Sequence, residues 1–412
     1  MGLIKSFFYD FKNIFTIDDQ MITILCASLF MPFPLTVITI IGVAIYVLVK
    51  SDFQNNVRQI RRSKWLISLP IYLLVVSLIS QNYIGAIISI GMSFMFIDVI
   101  YYRKYIHKEL FEIVIDMMII LSIISVVFSV FEQFYYLNTV EGMTSFFDIQ
   151  NKPQYRVKAF YFNSNYYAMM IIFVEAFCVY RFMDVDNLRK RILYTLAGLA
   201  NLFALFLTGG RIAWLCLGIA LIFMVLANKW YKTFVAAIIA VGGGAGLLAL
   251  KPNLLPRLAS QGLAIGRRTE IWKTASLIIG DHFIFGIGPL GYYTYWPKYL
   301  SAYKAKFGLA GLKKYKTLGI SSQHAHSMFI EPFISFGLVG TVVLLVYIGS
   351  EIHRLIRLFT RNIDAVLGSL ILGILIMSLL FCIIDFPLLW VQTGMLFLLI
   401  LGSSDIYRKE LV

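Results

Sequence analysis

The chain has 412 residues, of which 59% are hydrophobic and only 14% charged, with a mean hydropathy of +0.80. Soluble globular proteins carry about 25% charged residues, so this composition excludes a cytosolic enzyme, a disordered chain and a secreted disulfide module. With such apolarity, the formal net charge of +14 points to the positive-inside bias and to anionic lipids rather than to nucleic acid.

The N-terminal stretch carries Lys5 and Lys12 among apolar and aromatic residues. It has no signal-peptide pattern and reads as an interfacial helix. About twelve segments then follow that are apolar enough to cross a bilayer, near 19–32, 34–50, 65–80, 83–101, 111–131, 165–182, 191–208, 211–228, 232–250, 328–350, 364–384 and 387–405. A crossing helix needs roughly 20 such residues. The expected fold class is an all-α integral membrane protein. It divides into nine transmembrane helices over 1–250 with an outer loop near 132–164, a large, partly helical extracytoplasmic loop over 251–327, and three further helices over 328–412.

Short loops orient the chain, because long ones cross regardless of charge. Lys50, Arg58, Arg61, Arg62 and Lys64 follow the second span, Arg103, Lys104 and Lys108 the fourth, and Arg181, Arg189, Lys190 and Arg191 the sixth. Lys229 and Lys232 follow the eighth, Arg354, Arg357 and Arg361 the tenth, and Arg408 and Lys409 close the chain. These positions put both termini in the cytoplasm and the two long loops outside. The larger loop holds eleven Lys plus Arg against Glu270 and Asp281. Such a basic surface beside the outer leaflet attracts a lipid-linked phosphate. Alternatively, it is a solvated face meeting headgroups.

The four cysteines lie in apolar runs without CxxC spacing and read as core residues. Gly242-Gly243-Gly244 sits within an apolar span and reads as close helix packing. Thr208-Gly209-Gly210-Arg211 forms the outer turn between spans seven and eight. An arginine at the membrane margin is costly unless paired, so Arg211 is a functional candidate, with a snorkelling anchor as the plainer reading. Arg267 and Arg268 begin a helical stretch of the large loop, and their planar guanidinium groups suit a pyrophosphate. His324-Ala325-His326 ends that loop, and an imidazole there can take a proton from a sugar hydroxyl. A zinc site at this pair would need a third ligand, from Glu331, Asp281 or His282. His324 also reads as a hydrogen-bonded structural residue. Asp98, Asp116 and Glu175 are acids within spans that can pair with neighbouring helices, and Asp385, at the last outer turn, either orients an arginine or histidine or caps a helix.

At these residues the chain resembles the O-antigen ligase and polymerase family of bacterial membrane glycosyltransferases. Nine residues separate His326-Ser327 from Gly337-Leu338-Val339-Gly340, like that family's histidine motif. Thr208-Gly209-Gly210-Arg211 is similar to its small-residue–arginine element. Arg268, four residues before Trp272 and followed by His282-Phe283-Ile284-Phe285-Gly286-Ile287-Gly288, resembles its Arg-x-x-x-Trp helix and Gly-x-Gly segment. Arg156 through Phe162-Asn163-Ser164-Asn165 is similar to the stretch before the middle spans. Glu331 stands where many relatives carry Gln, and Arg268 misses by one residue an Arg-x10-Gly pattern of some polymerases.

The resemblance implies a GT-C-like, metal-independent, inverting transferase without a cofactor, in the inner (cytoplasmic) membrane with its active site facing outward. The donor is a glycan on undecaprenyl diphosphate, and the acceptor a hydroxyl of lipid A-core for a ligase or of a growing glycan for a polymerase; ligase is the leading expectation. His326, Arg211 and Arg268 are the expected catalytic residues, and Arg156, Arg267, His324, Glu331 and Asp385 the expected substrate-binding ones. A lipid-linked glycan transporter would place its polar site near the midplane, and a scaffold would tolerate loss of His326.

Overall fold

The computed structural model describes residues 16–50, 63–140, 155–231, 265–317, 323–361, 363–383 and 385–408. The N-terminal amphipathic stretch, the span expected over 232–250 with its glycine triplet, and Arg58, Arg61, Arg62, Lys232, Lys251, Arg257 and Lys409 lie outside these residues. The described residues form helices without a strand. In chain order they are α1 (Ile17–Ser28), α2 (Phe33–Val49), α3 (Ser63–Ile79), α4 (Tyr83–Tyr105), α5 (Lys108–Thr139), α6 (Ser164–Asp184), α7 (Leu188–Thr208) and α8 (Arg211–Ala227). The large loop contributes α9 (Ile265–His282), α10 (Gly291–Tyr295) and α11 (Leu300–Thr317), and the chain continues through α12 (Glu331–Ser335), α13 (Gly337–Thr360), α14 (Ala365–Cys382) and α15 (Val391–Gly402).

Six described helices (α4, α5, α6, α7, α13 and α14) are long and apolar enough to cross a membrane, and α2, α3, α8 and the segment from Val391 are shorter apolar helices. The chain is therefore an all-α, multi-pass membrane protein. Local signals set the helix starts. Thr16 and Asp19 form a reciprocal capping box on α1, and Asn82, Asn163 and Asn187 accept backbone N–H groups of α4, α6 and α7. Gly209, at φ 60°, ends α7 so that α8 begins two residues later.

Three boundaries differ from the sequence expectation. Helix α5 runs to Thr139 and so takes in part of the expected outer loop. The tenth span does not begin at 328. There the chain makes the short α12, breaks at Phe336–Gly337, and only then enters α13. The break persists because loop backbone satisfies its polar groups. Ile287 and Gly288 donate to the Ile334 and Ser335 carbonyls at 2.8 and 2.9 Å, while Leu338 and Val339 donate to Phe283 and Ile284 at 2.7 and 3.1 Å. The last apolar run is likewise divided, with a 3-10 turn over Pro387–Leu389 before α15.

Helix α6 is buried along almost its whole length, and α5, α7, α8 and α14 pack around it. A second, smaller core of Ile271, Ala275, Ile278, Ile287, Tyr292, Tyr303, Ala325 and Ile334 holds the large loop together. All four cysteines are buried and free.

The two ends of the bundle differ in charge. At one end Arg103 pairs with Glu351 at 3.0 Å and Asp405 at 2.6 Å, Arg354 also pairs with Asp405, and Arg181 pairs with Asp116 at 2.8 Å. Lys108 reaches Asp364 at 3.0 Å. The sequence places these cations in or beside the short basic loops; in the structure they stand on α4, α5, α6 and α13 and form ion pairs. At the other end stand Asn165, Thr208, the histidine pair and Asp385. Asn165 and Arg181 lie sixteen residues apart on α6, which at 1.5 Å per residue separates the two ends by about 24 Å.

Candidate functional site

Four segments meet at this second end. They are the turn over 323–330, the start of α6, the first turns of α9, and the residues between α14 and α15. His326 takes φ 50°, a left-handed conformation that is uncommon outside glycine. Its neighbours hold it there. The His326 N–H donates to His324 Nδ1 at 3.0 Å. The preceding residue is held at both its peptides, the Ala325 N–H by the Glu331 carboxylate at 2.7 Å and the Ala325 carbonyl by the Trp272 indole N–H at 2.9 Å. Glu331 also accepts the Ser335 hydroxyl at 2.7 Å.

In this conformation His326 Nδ1 lies 2.8 Å from Asp385 Oδ1. The carboxylate has no proton to give, so Nδ1 carries the hydrogen and Nε2 is the basic nitrogen. Asp385 is almost fully buried and also accepts the Phe386 N–H and the Asn165 side-chain amide. Burial opposes its charge, but the His326 hydrogen bond and the electrostatics of His326, His324 and Arg268 hold its pKa below the usual carboxylate range. His324 is the converse case. Burial, with the His326 and Arg268 charges, pulls its pKa down to about 3, so its ring is neutral near pH 7. Since its Nδ1 accepts a backbone N–H, its hydrogen sits on Nε2.

Arg268 lies in the first turn of α9, half-buried, and its charge acts on both Asp385 and His324. Burial lowers its pKa and Asp385 partly offsets that; a guanidinium stays protonated nonetheless. Trp272 stands four residues later on the same helix face, so its bond to Ala325 fixes α9 over the histidine turn and carries Arg268 to the acid. Arg267 opens the same helix, and its side chain lies outside the described residues.

Arg156 faces protein groups. It donates to the Thr208 carbonyl and, at 2.9 Å, to Asn165 Oδ1. Asn165 in turn donates to Asp385. Arg211 is half-buried in the first turn of α8, three residues past Thr208. The preceding Gly210 packs so closely that an added Cβ would stand 3.2 Å from Ala168, one turn beyond Asn165. The arginine turn is thereby tied to the histidine site through Arg156 and Asn165. Neither Asn165 nor Trp272 stood out as a site residue in the sequence. An Asn in the first turn of a helix, two residues after another Asn, reads as part of a cap, and Trp272 entered only as a spacing mark.

His324, His326 and Asp385 place one ligand atom each within 4.8 Å of one another, so a third candidate ligand does exist, and it is Asp385 rather than Glu331, Asp281 or His282. Asp281 accepts the Tyr299 hydroxyl at 2.6 Å, and His282 stands edge-on to Tyr295. The 2.8 Å separation of His326 Nδ1 and Asp385 Oδ1 is a direct hydrogen bond. Two ligands of a tetrahedral zinc, with bonds of about 2.0–2.1 Å, would stand roughly 3.3 Å apart. The adjacent Arg268 charge also disfavours a cation.

An apolar cavity of about 530 Å³ opens beside the site. His324 and Phe386 form part of its wall near the site, Phe33, Met92 and Trp390 line its length, and Tyr347, a partner of Arg103, lies at its far end.

No curated protein matches the chain. Residues 196–345, from within α7 through the arginine turn, α9 and the histidine turn into α13, match the family model described as O-antigen ligase. That match covers the segment holding Arg211, Arg268 and His326, and it supports an O-antigen ligase and polymerase family assignment.

Proposed function

We propose that the chain transfers a glycan from undecaprenyl diphosphate to a sugar hydroxyl at the outer face of the cytoplasmic membrane, as an O-antigen ligase with lipid A-core as acceptor. The single observation that carries this reading is the Asp385–His326 pair, 2.8 Å apart at Nδ1, which leaves Nε2 as the base at a site where the half-buried Arg268 acts on the same carboxylate. In the transfer, His326 Nε2 takes the acceptor hydroxyl proton while that oxygen attacks the anomeric carbon from the face opposite the diphosphate. The sugar–phosphate bond breaks, and its electron pair leaves with the undecaprenyl diphosphate. Arg268 and Arg211 stabilise the charge that builds on that group, so the reaction proceeds with inversion and without a metal. The apolar cavity is suited to part of the polyprenyl chain. The full arrangement on this reading is twelve spans and GT-C-like, with both termini cytoplasmic.

A complementation assay tests it. In a strain lacking the protein, His326→Ala and Arg211→Ala should reach the membrane at wild-type level and leave glycan transfer abolished. Lipopolysaccharide gels separate the outcomes. Full-length glycan left on its lipid carrier identifies a ligase, and single repeat units on the lipid anchor identify a repeat-unit polymerase. Normal transfer by either variant overturns the reading. Lipid-linked glycan crossing reconstituted vesicles without a new glycosidic bond would identify a transporter instead.

A further inference from the structure

Asn165 sits between two charged groups that hold its amide in one orientation. Its Oδ1 accepts from Arg156 Nη2 at 2.9 Å, and its Nδ2 donates to Asp385 Oδ2. A flipped amide would present an acceptor to a carboxylate and a donor to a guanidinium, so only one orientation is satisfied. Arg156 is itself fixed by the Thr208 carbonyl, and Asn163 caps the helix that carries Asn165. The other oxygen of Asp385 meets His326. The carboxylate is therefore gripped from both sides, and its plane sets the direction in which the imidazole hydrogen must point.

We propose that Asn165, held by Arg156, is a positioning residue that locks Asp385 and through it keeps His326 in the tautomer with Nε2 free to act as base. This inference rests on the transferase reading for its consequence in turnover, but its structural content is independent of that reading. It also gives Arg156 a part other than substrate contact. Asn165 touches no reacting atom, and its effect is transmitted through the acid. The charged and titratable groups around His326 are Asp385 between α14 and α15, His324 in its own turn, Glu331 on α12 and Arg268 on α9, the last acting on Asp385 and His324.

The test uses the full chain in proteoliposomes with a synthetic undecaprenyl-diphosphate-linked oligosaccharide as donor. Purified lipid A-core is the acceptor, and a second lipid-linked unit is tried in parallel. Asn165→Ala should lower kcat about tenfold or more, as loss of an outer hydrogen-bond partner does elsewhere, with the donor KM unchanged within about twofold. Asn165→Asp keeps the Arg156 contact but sets a second carboxylate against Asp385. The added negative charge favours the imidazolium, so the acidic limb of the kcat/KM profile should move to higher pH. A purely structural role would lower the amount of folded protein and leave that limb in place. Wild-type kcat in Asn165→Ala together with an unmoved limb in Asn165→Asp overturns the inference while the transferase reading stands.

A second measurement needs no turnover. In protein labelled with ¹⁵N-histidine, the His326 signals are those lost in His326→Gln. Wild type should show a single Nδ1–H tautomer, and Asn165→Ala a mixture. If both proteins keep the single tautomer, the inference fails. If wild type transfers no glycan yet the tautomer responds to Asn165, the proposed reaction fails and the positioning role survives.

Discussion

Glu331 is a carboxyl buried from solvent, in contact with one backbone N–H and one hydroxyl. Burial pushes its pKa up to about 7 from 4.5, although its two hydrogen bonds and the His326 charge pull the other way. The folded chain thus binds this proton more tightly than the unfolded one. The resulting stabilisation is complete below about 4.5 and is lost as pH rises through about 7. Glu331→Gln keeps an acceptor for the Ala325 N–H but does not titrate. Melting curves of the purified protein from pH 5 to 8 should therefore show the wild type losing stability relative to Glu331→Gln as pH rises, and a constant difference would refute the assignment. The histidines and Arg268 were legible because imidazole and guanidinium groups at a membrane margin are uncommon and costly. Asp385 was ambiguous between cap and partner, since either role needs the same residue, and only the approach of His326 from a segment 59 residues away separates them. Glu331 is expected from the sequence as a ligand or substrate contact, but it holds the Ala325 N–H and the Ser335 hydroxyl instead, because the shape of the turn it supports is not encoded locally.

Among the helices, glycine spacing proved to be about backbone contact. Gly286 and Gly337 both take positive φ, and a Cβ on Gly337 would fall 2.4 Å from the Gly286 nitrogen. These two glycines let the loop after α9 lie against the start of α13, and they account for the Gly-x-Gly and Gly-x-x-Gly elements without a phosphate cradle. Tyr72 spans the join by donating at 2.9 Å to the carbonyls of Phe285 and Phe336, and Asn82 bonds the Ile287 and Pro289 carbonyls at 2.9 Å. Gly337→Ala should therefore cost about 1–3 kcal/mol from the left-handed backbone alone, with the steric clash added. The expected readout is a lower Tm and faster proteolysis within 265–317. Gly42→Ala, where an added Cβ meets nothing within 4 Å, is the control and should be neutral or mildly stabilising. Equal behaviour of the two variants would remove the docking role of Gly337. Hydropathy located the apolar runs well but not their breaks. Residues 328–336 are as apolar as a span, and they leave the helix only because loop backbone from far along the chain supplies their hydrogen bonds.

Across the whole molecule, the ion pairs of Arg103, Lys108, Arg181 and Arg354 gather at one end of the bundle, and the histidine site with the large loop gathers at the other. The short-loop rule assigns the first end to the cytoplasm. The rule was legible as a pattern of Lys and Arg, but nothing in that pattern marks the several cations that are consumed in buried pairs. An orientation argued from charge therefore needs a test that does not depend on charge. The four native cysteines are buried, which gives a low background for thiol labelling. Lys304, on α11, and Arg189, in the first turn of α7, are both exposed and lie at opposite ends. In spheroplasts, a membrane-impermeant maleimide should label Lys304→Cys at once and Arg189→Cys only after the membrane is opened. The reverse order would place the imidazole and its arginines on the cytoplasmic side, where a donor flipped outward could not reach them, and the proposed reaction would fail with the topology.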